Sequence, residues 1–278
     1  MKLSCSTRCI ADYPLDQAFK AISEAGFRHL EASTYETGAV LDPAIIHTVA
    51  LKDVLARHRL GISSLNLTPI APAEPIDEEG APEGLRREVV MGRELWQDVF
   101  NVSTGPADAS SRDAVVDVLR RLADYANGLG LSLALSNVPK SHIATVDDVL
   151  RMLDDVARPN VGVLLDLVRF HLVEEAAPSV VERLGDQTLV VRTGDVAGGR
   201  WAPFGSGEID NEAALGALAD AGYVGFVVVE VHTTARAEVE RRMAEAREAI
   251  DRLVAEPVSA PIVTPRIPSG NTPLPPTR

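Results

Sequence analysis

No stretch of about 18 consecutive apolar residues occurs in this 278-residue chain, so nothing in it reads as a membrane-spanning helix. Cysteine is nearly absent. Cys5 and Cys9 are too few for a disulfide framework, and an isolated C-x3-C is a weak metal signature. Both are expected as reduced thiols beside a first strand. Basic residues are outnumbered, with 27 Lys and Arg against 40 Asp and Glu, for a net charge of −13. No run of Lys or Arg breaks that balance. This disfavours nucleic acid as a partner, because phosphate neutralisation supplies most of such affinity. Met1 to Ile10 carries a lysine but neither a sustained apolar run nor a small-residue cleavage site, so a cytoplasmic protein is expected. A G-x-G-x-x-G after the first strand is missing too, which leaves a dinucleotide fold little support. Nothing indicates a nicotinamide, flavin or pyridoxal site.

What the chain does contain is alternation. Short β-rich apolar runs recur at Lys2–Ser6, His29–Ser33, Ile62–Leu67, Val99–Thr104, Ser132–Asn137, Val161–Asp166, Thr188–Arg192 and Phe226–Val231. Amphipathic stretches lie between them. Pro14 to Ala25 puts Leu15, Phe19 and Ile22 on one face before Gly26. Ser110 to Asn127 opens on a Ser N-cap, stacks Val115, Leu119 and Leu122, and stops at Gly128. Ala235 to Glu256 repeats the scheme with Val239, Met243 and Ile250. Strict β–α alternation implies a parallel sheet, since each crossover returns the chain to the same end. Eight units in a chain near the ~250 residues typical of the fold predict a single (β/α)8 TIM barrel of the α/β class. The barrel is assigned to residues 1–256 and a Pro-rich tail to 257–278, which has no acidic residue and cannot build a core. The long acidic, Pro-rich connection from Thr68 to Gly84 is expected to be either a cover for the barrel mouth or a plain surface loop.

A charged residue closing a barrel strand faces the loop side, where active sites of this fold lie. Asp166 closes VGVLL, Glu230 closes FVVV and Arg192 closes TLVV. Arg169 follows the same corner as Asp166, and Arg200 precedes PFGSGEID, where it can reach an anionic group. Glu31 ends the second strand and Asn66 the third; both suit hydrogen bonding to a polyhydroxy substrate. Of six histidines, His142, His171 and His232 follow strands five, six and eight. Imidazole titrates near neutrality, which makes each a candidate proton shuttle. The glycines of GSGEID suit either an anion cradle or a tight turn into a helix. Glu208 and Asp210 would repel a phosphate, which favours the turn.

The stretches ALSNVPKSHIATVDDVLRMLDDVARPNVGVLLD, LVVRTGDVAGGRWAPFGSGEID and GYVGFVVVEVH, spread over roughly Gly130 to His232, resemble the xylose isomerase-like superfamily of sugar phosphate isomerases and epimerases. The resemblance implies a small-molecule substrate and a divalent metal (Mn²⁺, Mg²⁺, Co²⁺ or Zn²⁺). Its ligands would be a Glu ending strand five, an Asp ending strand six, a His ending strand seven and a Glu ending strand eight. Asp166 and Glu230 match. At the strand-five position stands Ser136, before Asn137, and at the strand-seven position stands Arg192, three residues before Asp195. A further family His, three residues after the strand-six Asp, is here Arg169, with His171 two residues later. A serine hydroxyl is a weak neutral ligand, and a guanidinium cannot ligate and stays protonated. Arg192 is therefore expected to replace the metal electrostatically, with Asp166 and Glu230 as ion-pair partners and Arg169 as a second anchor. No cofactor is expected; if a metal binds, Asp166 and Glu230 are its ligands.

Three functions stay open at this point. The first is a metal-free isomerase or epimerase, with lyase and cyclase outcomes from the same intermediate. In it Glu230, with Asp166 and a histidine beside it, moves a proton while Arg192 and Arg169 stabilise an oxyanion on a sugar-like, keto or carboxylate-bearing substrate, in a pocket that Ser136, Asn137 and Arg200 help to line. The second is a metal enzyme with substitute ligands such as His142 or His171. The third is a barrel without catalysis that binds a partner, with a homo-oligomer left open. The three-zinc abasic-site endonucleases of the superfamily are set aside, because six histidines so placed do not supply their ligands.

Overall fold

The apolar runs become eight parallel strands: β1 (Lys2–Ser6), β2 (His29–Ser33), β3 (Gly61–Asn66), β4 (Val99–Val102), β5 (Ser132–Ser136), β6 (Val161–Asp166), β7 (Thr188–Thr193) and β8 (Phe226–Val229). They close on themselves in sequence order, β8 pairing with β1, as the alternation predicts. This computed structural model describes residues 1–35, 41–73, 75–233 and 236–254. The sequence-assigned tail at 257–278 lies outside the described residues. Among those residues no helix is long and apolar enough to cross a membrane.

Around the strands lie α1 (Leu15–Glu24), α2 (Thr48–His58), α3 (Glu83–Glu94), α4 (Arg112–Gly128), α5 (Val146–Val156), α6 (Leu167–His171), α7 (Ala177–Leu184), α8 (Asn211–Asp220) and α9 (Arg236–Val254). Six of the seven connections between strands carry one α-helix, and α9 follows β8. The connection after β6 carries two, because the one-turn α6 is inserted at the mouth. Asp166 caps it, accepting the Arg169 amide at 3.0 Å. The cap of α4 is Ser111, one residue later than expected: its hydroxyl takes the Ala114 amide. Gly128 is the last residue of α4 rather than its stop, and the left-handed residue is Gly130 at φ +73°. β3, β4, β5 and β8 end one or two residues before their expected ends, since regular pairing lapses at the rim. There Thr104 keeps a lone bridge to Ile70, and the Glu230 amide still bonds Thr193.

Period-two alternation sets what the barrel interior contains. Ala134, Leu164, Val190 and Val228, from β5 to β8, form a separate buried apolar layer inside the sheet. Two residues further along each chain segment stand Ser136, Asp166, Arg192 and Glu230, so the next layer toward the mouth is polar and charged. The facing strands are polar as well. Ser4 bonds Ser63 at 2.7 Å, and Ser6, Ser64 and Asn101 all bond Glu31. A bulge between Leu30 and Glu31 shifts the β2–β3 register just ahead of that carboxylate.

After β7 the chain makes a two-stranded hairpin, Val196–Ala197 with Arg200–Trp201, turning at Gly198 and Gly199 with φ of +55° and +72°. The glycine-rich segment beyond it wraps Asp195. That buried carboxylate accepts the amides of Gly205 and Gly207 at 2.9 Å, Val196 at 3.0 Å and Ile209 at 3.3 Å. The turn reading of GSGEID therefore holds, and its amides from Gly205 to Ile209 are already occupied. Asp195→Asn replaces one accepting oxygen with an NH2 donor that faces N–H donors, and leaves buried amides unmatched. We expect it to lower unfolding stability by about 3 kcal/mol in urea titration; a change under about 0.5 kcal/mol would contradict this role.

Candidate active site

Arg192 lies two residues beyond Val190 on the inner face of β7, and this places its guanidinium across the barrel axis with 2% of the side chain exposed. Nη2 donates to Glu31 Oε2 at 2.7 Å and to Asn66 Oδ1 at 2.8 Å, and Nη1 donates to Asp166 Oδ2 at 3.0 Å. Nε is 3.6 Å from Glu230 Oε2. Burial alone would pull the guanidinium's pKa down. Glu31, Asp166 and Glu230 together outweigh it and hold the pKa well above its ordinary value, so the charge is permanent. The expected partners Asp166 and Glu230 are both present, but the shortest contact is to Glu31. That residue is fully covered, with its carboxylate engaged by Arg192, Asn101, Ser6 and Ser64.

Glu230 sits one residue past β8, where the chain turns from sheet to loop. One oxygen accepts from Arg8 Nη1 at 3.3 Å, and the other lies 2.8 Å from His232 Nε2. Burial pushes its carboxyl up; Arg8, the His232 hydrogen bond and Arg192 prevail and hold it well below the usual carboxylate range. The His232 ring packs against Trp201 with centroids 4.5 Å apart. Arg169 completes the ring of charge. Its Nε is 3.3 Å from Asp166, and its Nη1 donates to Ser136 Oγ and the Asn137 carbonyl, each at 3.1 Å.

These groups border a cavity of about 120 Å³ lined by Arg8, Asp166, Arg169, Arg192, Trp201 and Glu230, with Val168 and Leu172 completing its wall. Three cations meet three carboxylates here once the covered Glu31 is counted. A wider cleft, which shares Arg169, opens beside it over the loops after β3, β4 and β5.

Of the other sequence-derived candidates, Asn66 and Ser136 stand in this network, and Asn137 is fully buried with its Oδ1 unpartnered among the described residues. His142 lies elsewhere, its Nε2 2.8 Å from the Ser110 carbonyl, and His171 lies 3.3 Å from Glu208. Arg200 is exposed on the hairpin beside Trp201. Arg8 and Trp201 were not singled out from the sequence. Arg8 follows β1 by two residues, so the strand-end rule that flagged the others also reaches it. Trp201 carries no such signal, since the hairpin that delivers it is a tertiary feature.

A divalent ion would need open space between oxygen or nitrogen donors with lone pairs directed inward. At the four corresponding positions stand Ser136, Asp166, Arg192 and Glu230, and the guanidinium of Arg192 fills the gap between the carboxylates at 2.7–3.6 Å. Among the described residues no group of three or more His, Cys, Asp or Glu side chains is placed to hold a metal. The residues present do not fit such an ion.

The family described as the xylose isomerase-like TIM barrel matches residues 19–255. An L-ribulose 3-epimerase of Methylomonas sp. (strain DH-1) is 28% identical over 229 residues, covering 77% of each chain. Among solved structures, a D-allulose 3-epimerase from Methylomonas sp. superposes with a TM-score of 0.73 at 22% identity, over 91% of this chain and 98% of that one. The IOLI protein, in a structure with a bound zinc atom, gives a TM-score of 0.72 at 20% identity, over 94% and 100%. At such identities the likeness establishes the shared fold.

Arg192→Met would leave three buried carboxylates without their shared cation, at an expected cost of about 3–5 kcal/mol at pH 7. Arg169 stays beside Asp166 and Arg8 beside Glu230, but Glu31 loses its cation. A buried carboxylate without one has a raised folded-state pKa, so the variant's deficit should shrink as pH falls from 7 toward 5. The wild type behaves oppositely. Glu230's lowered pKa contributes stability that is present above its unfolded value near 4.5 and lost as pH falls through the folded one. Denaturant titrations at pH 5 and 7 check this, and a deficit independent of pH would contradict the charge assignment.

Proposed function

The chain belongs to the xylose isomerase-like TIM-barrel family, and from that premise we propose that it is an isomerase- or epimerase-like enzyme that moves a proton on a small oxygenated substrate, with Arg192 in place of a divalent metal. The observation that carries this reading is the buried Arg192 guanidinium, held among Glu31, Asp166 and Glu230 at the floor of the inner cavity. The likeness to an L-ribulose 3-epimerase supports a sugar-type substrate. Neither His142 nor His171 reaches the cavity to act as a substitute ligand, so the metal-dependent alternative gains nothing from the geometry.

In this reading Glu230 takes a proton from the carbon next to a substrate carbonyl. The C–H electron pair becomes the new C=C bond, and the carbonyl oxygen takes up the negative charge. Arg8 and Arg169, which are less covered than Arg192, meet that oxygen. Water that protonates the opposite face, its hydroxide taking the proton held by Glu230, gives an epimer. Delivery of the Glu230 proton to the neighbouring carbon, with the proton of the adjacent hydroxyl passing to the former carbonyl oxygen, gives an isomer. A carboxylate with a strongly lowered pKa is a weak base. The charge of Arg8 makes the largest single contribution to lowering it. A substrate oxyanion that engages Arg8 offsets that influence, so the base strengthens as the charge it creates develops.

The test is deuterium incorporation from D₂O into L-ribulose and D-allulose, followed by NMR with chelator-treated protein. Exchange should persist in the wild type and fall about 100-fold or more in Glu230→Gln. Arg8→Gln removes a cation beside the base and raises its pKa, so the acid limb of kcat/KM should move up by about one pH unit. Exchange that vanishes on chelation and returns with Mn²⁺ or Zn²⁺ would overturn the metal-free reading.

A further inference from the structure

We propose that the natural substrate is bipartite: a sugar-like head that reacts in the inner cavity, and an apolar group, joined at the end remote from the carbonyl, that lies in the outer cleft. This rests on the proton-transfer reading of the inner cavity. The two spaces differ sharply in size and chemistry. The inner one, about 120 Å³, is bounded by charge. The outer one, about 800 Å³, is within the range of about 300–1,000 Å³ usual for ligands of drug size and is far more than a small sugar would fill.

The outer walls are Pro69, Pro106, Ala107, Val138 and Pro139, with polar groups such as Lys140 and Asp108 among them. Proline has no N–H, so three of these residues offer no backbone donor to a hydroxyl. A bare polyol would find partners at Tyr35, Ser103, Thr104 and Ser141 but none over the proline and valine faces, whereas an aryl or alkyl group covers those faces at no cost in hydrogen bonds. The walls are also built in advance. The Ile70 amide bonds the Ser103 carbonyl at 2.8 Å, and the Ala107 amide bonds the Lys140 carbonyl at 3.0 Å, tying the loops after β3, β4 and β5 to one another. Pro106 bridges to Ser141 in the same layer. Fixed walls spare a ligand the entropy of ordering them. Arg169 borders both spaces, which sets them side by side, and a molecule that passes its side chain would occupy both.

L-ribulose and its 5-O-benzyl ether form a matched pair of probes. Binding is read by calorimetric titration, and deuterium exchange is followed in parallel. We expect the ether to bind about 10-fold or more tightly than L-ribulose. In Ala107→Trp, which fills the cleft from an exposed wall position, that advantage should fall to about twofold or less, while L-ribulose exchanges deuterium at its original rate. An ether that binds no better than L-ribulose, an advantage that survives Ala107→Trp, or no binding by either compound would overturn the proposal. The two readings fail separately. A binding advantage abolished by Ala107→Trp without any exchange would leave the subsite standing and remove the proton-transfer assignment. Exchange without a binding advantage would do the reverse.

Discussion

A guanidinium buried at the centre of a barrel is tolerable only if charge and hydrogen bonds meet it from every side, and Arg192 imposes that condition on four strands at once. Glu31 from β2, Asn66 from β3 and Asp166 from β6 accept its hydrogen bonds, and Glu230 at the end of β8 stands 3.6 Å away. Each carboxylate would be costly to bury without the arginine, and the arginine would be costly without them. The network therefore depends on barrel closure, which alone brings β2 opposite β7, and it locks the rotamers that shape the inner cavity.

The same charges organise the rim. Glu230 divides its two oxygens between Arg8 and His232, while Asp166 divides its own between Arg192 and the cap of α6, which carries Arg169. The result is a floor whose cation is fully covered and walls whose cations are partly open. In the proposed reaction a substrate would meet Arg8 and Arg169 first, and the buried arginine would act on it through the field it sets and through the carboxylates it holds in place.

Much of this was legible along the chain, and the parts that were not share a cause. Strand positions emerged from apolar runs bounded by glycine and polar turns, because both signals are local. Asp166, Arg192 and Glu230 could be located because a charged residue closing an apolar strand is itself a local pattern. Glu31 closes a strand too, yet its role as the shortest partner of Arg192, across 161 residues of sequence, depends on which strands face each other. Arg8 acquires meaning only when β1 lies beside β8. The one-turn α6 and the Trp201 hairpin are stabilised by side chains that arrive from the site itself, so neither shows the periodicity of an independent element.

The central claim is that a guanidinium has taken the place and charge of a divalent cation, and calorimetric titration with Mn²⁺ and Zn²⁺ tests it most directly. The protein pair is the wild type and the double variant Ser136→Glu with Arg192→His, which restores the four-ligand pattern that the family resemblance implies. The account predicts no saturable site in the wild type and one site per chain in the double variant. One ion bound per wild-type chain, lost in Asp166→Ala, would contradict it.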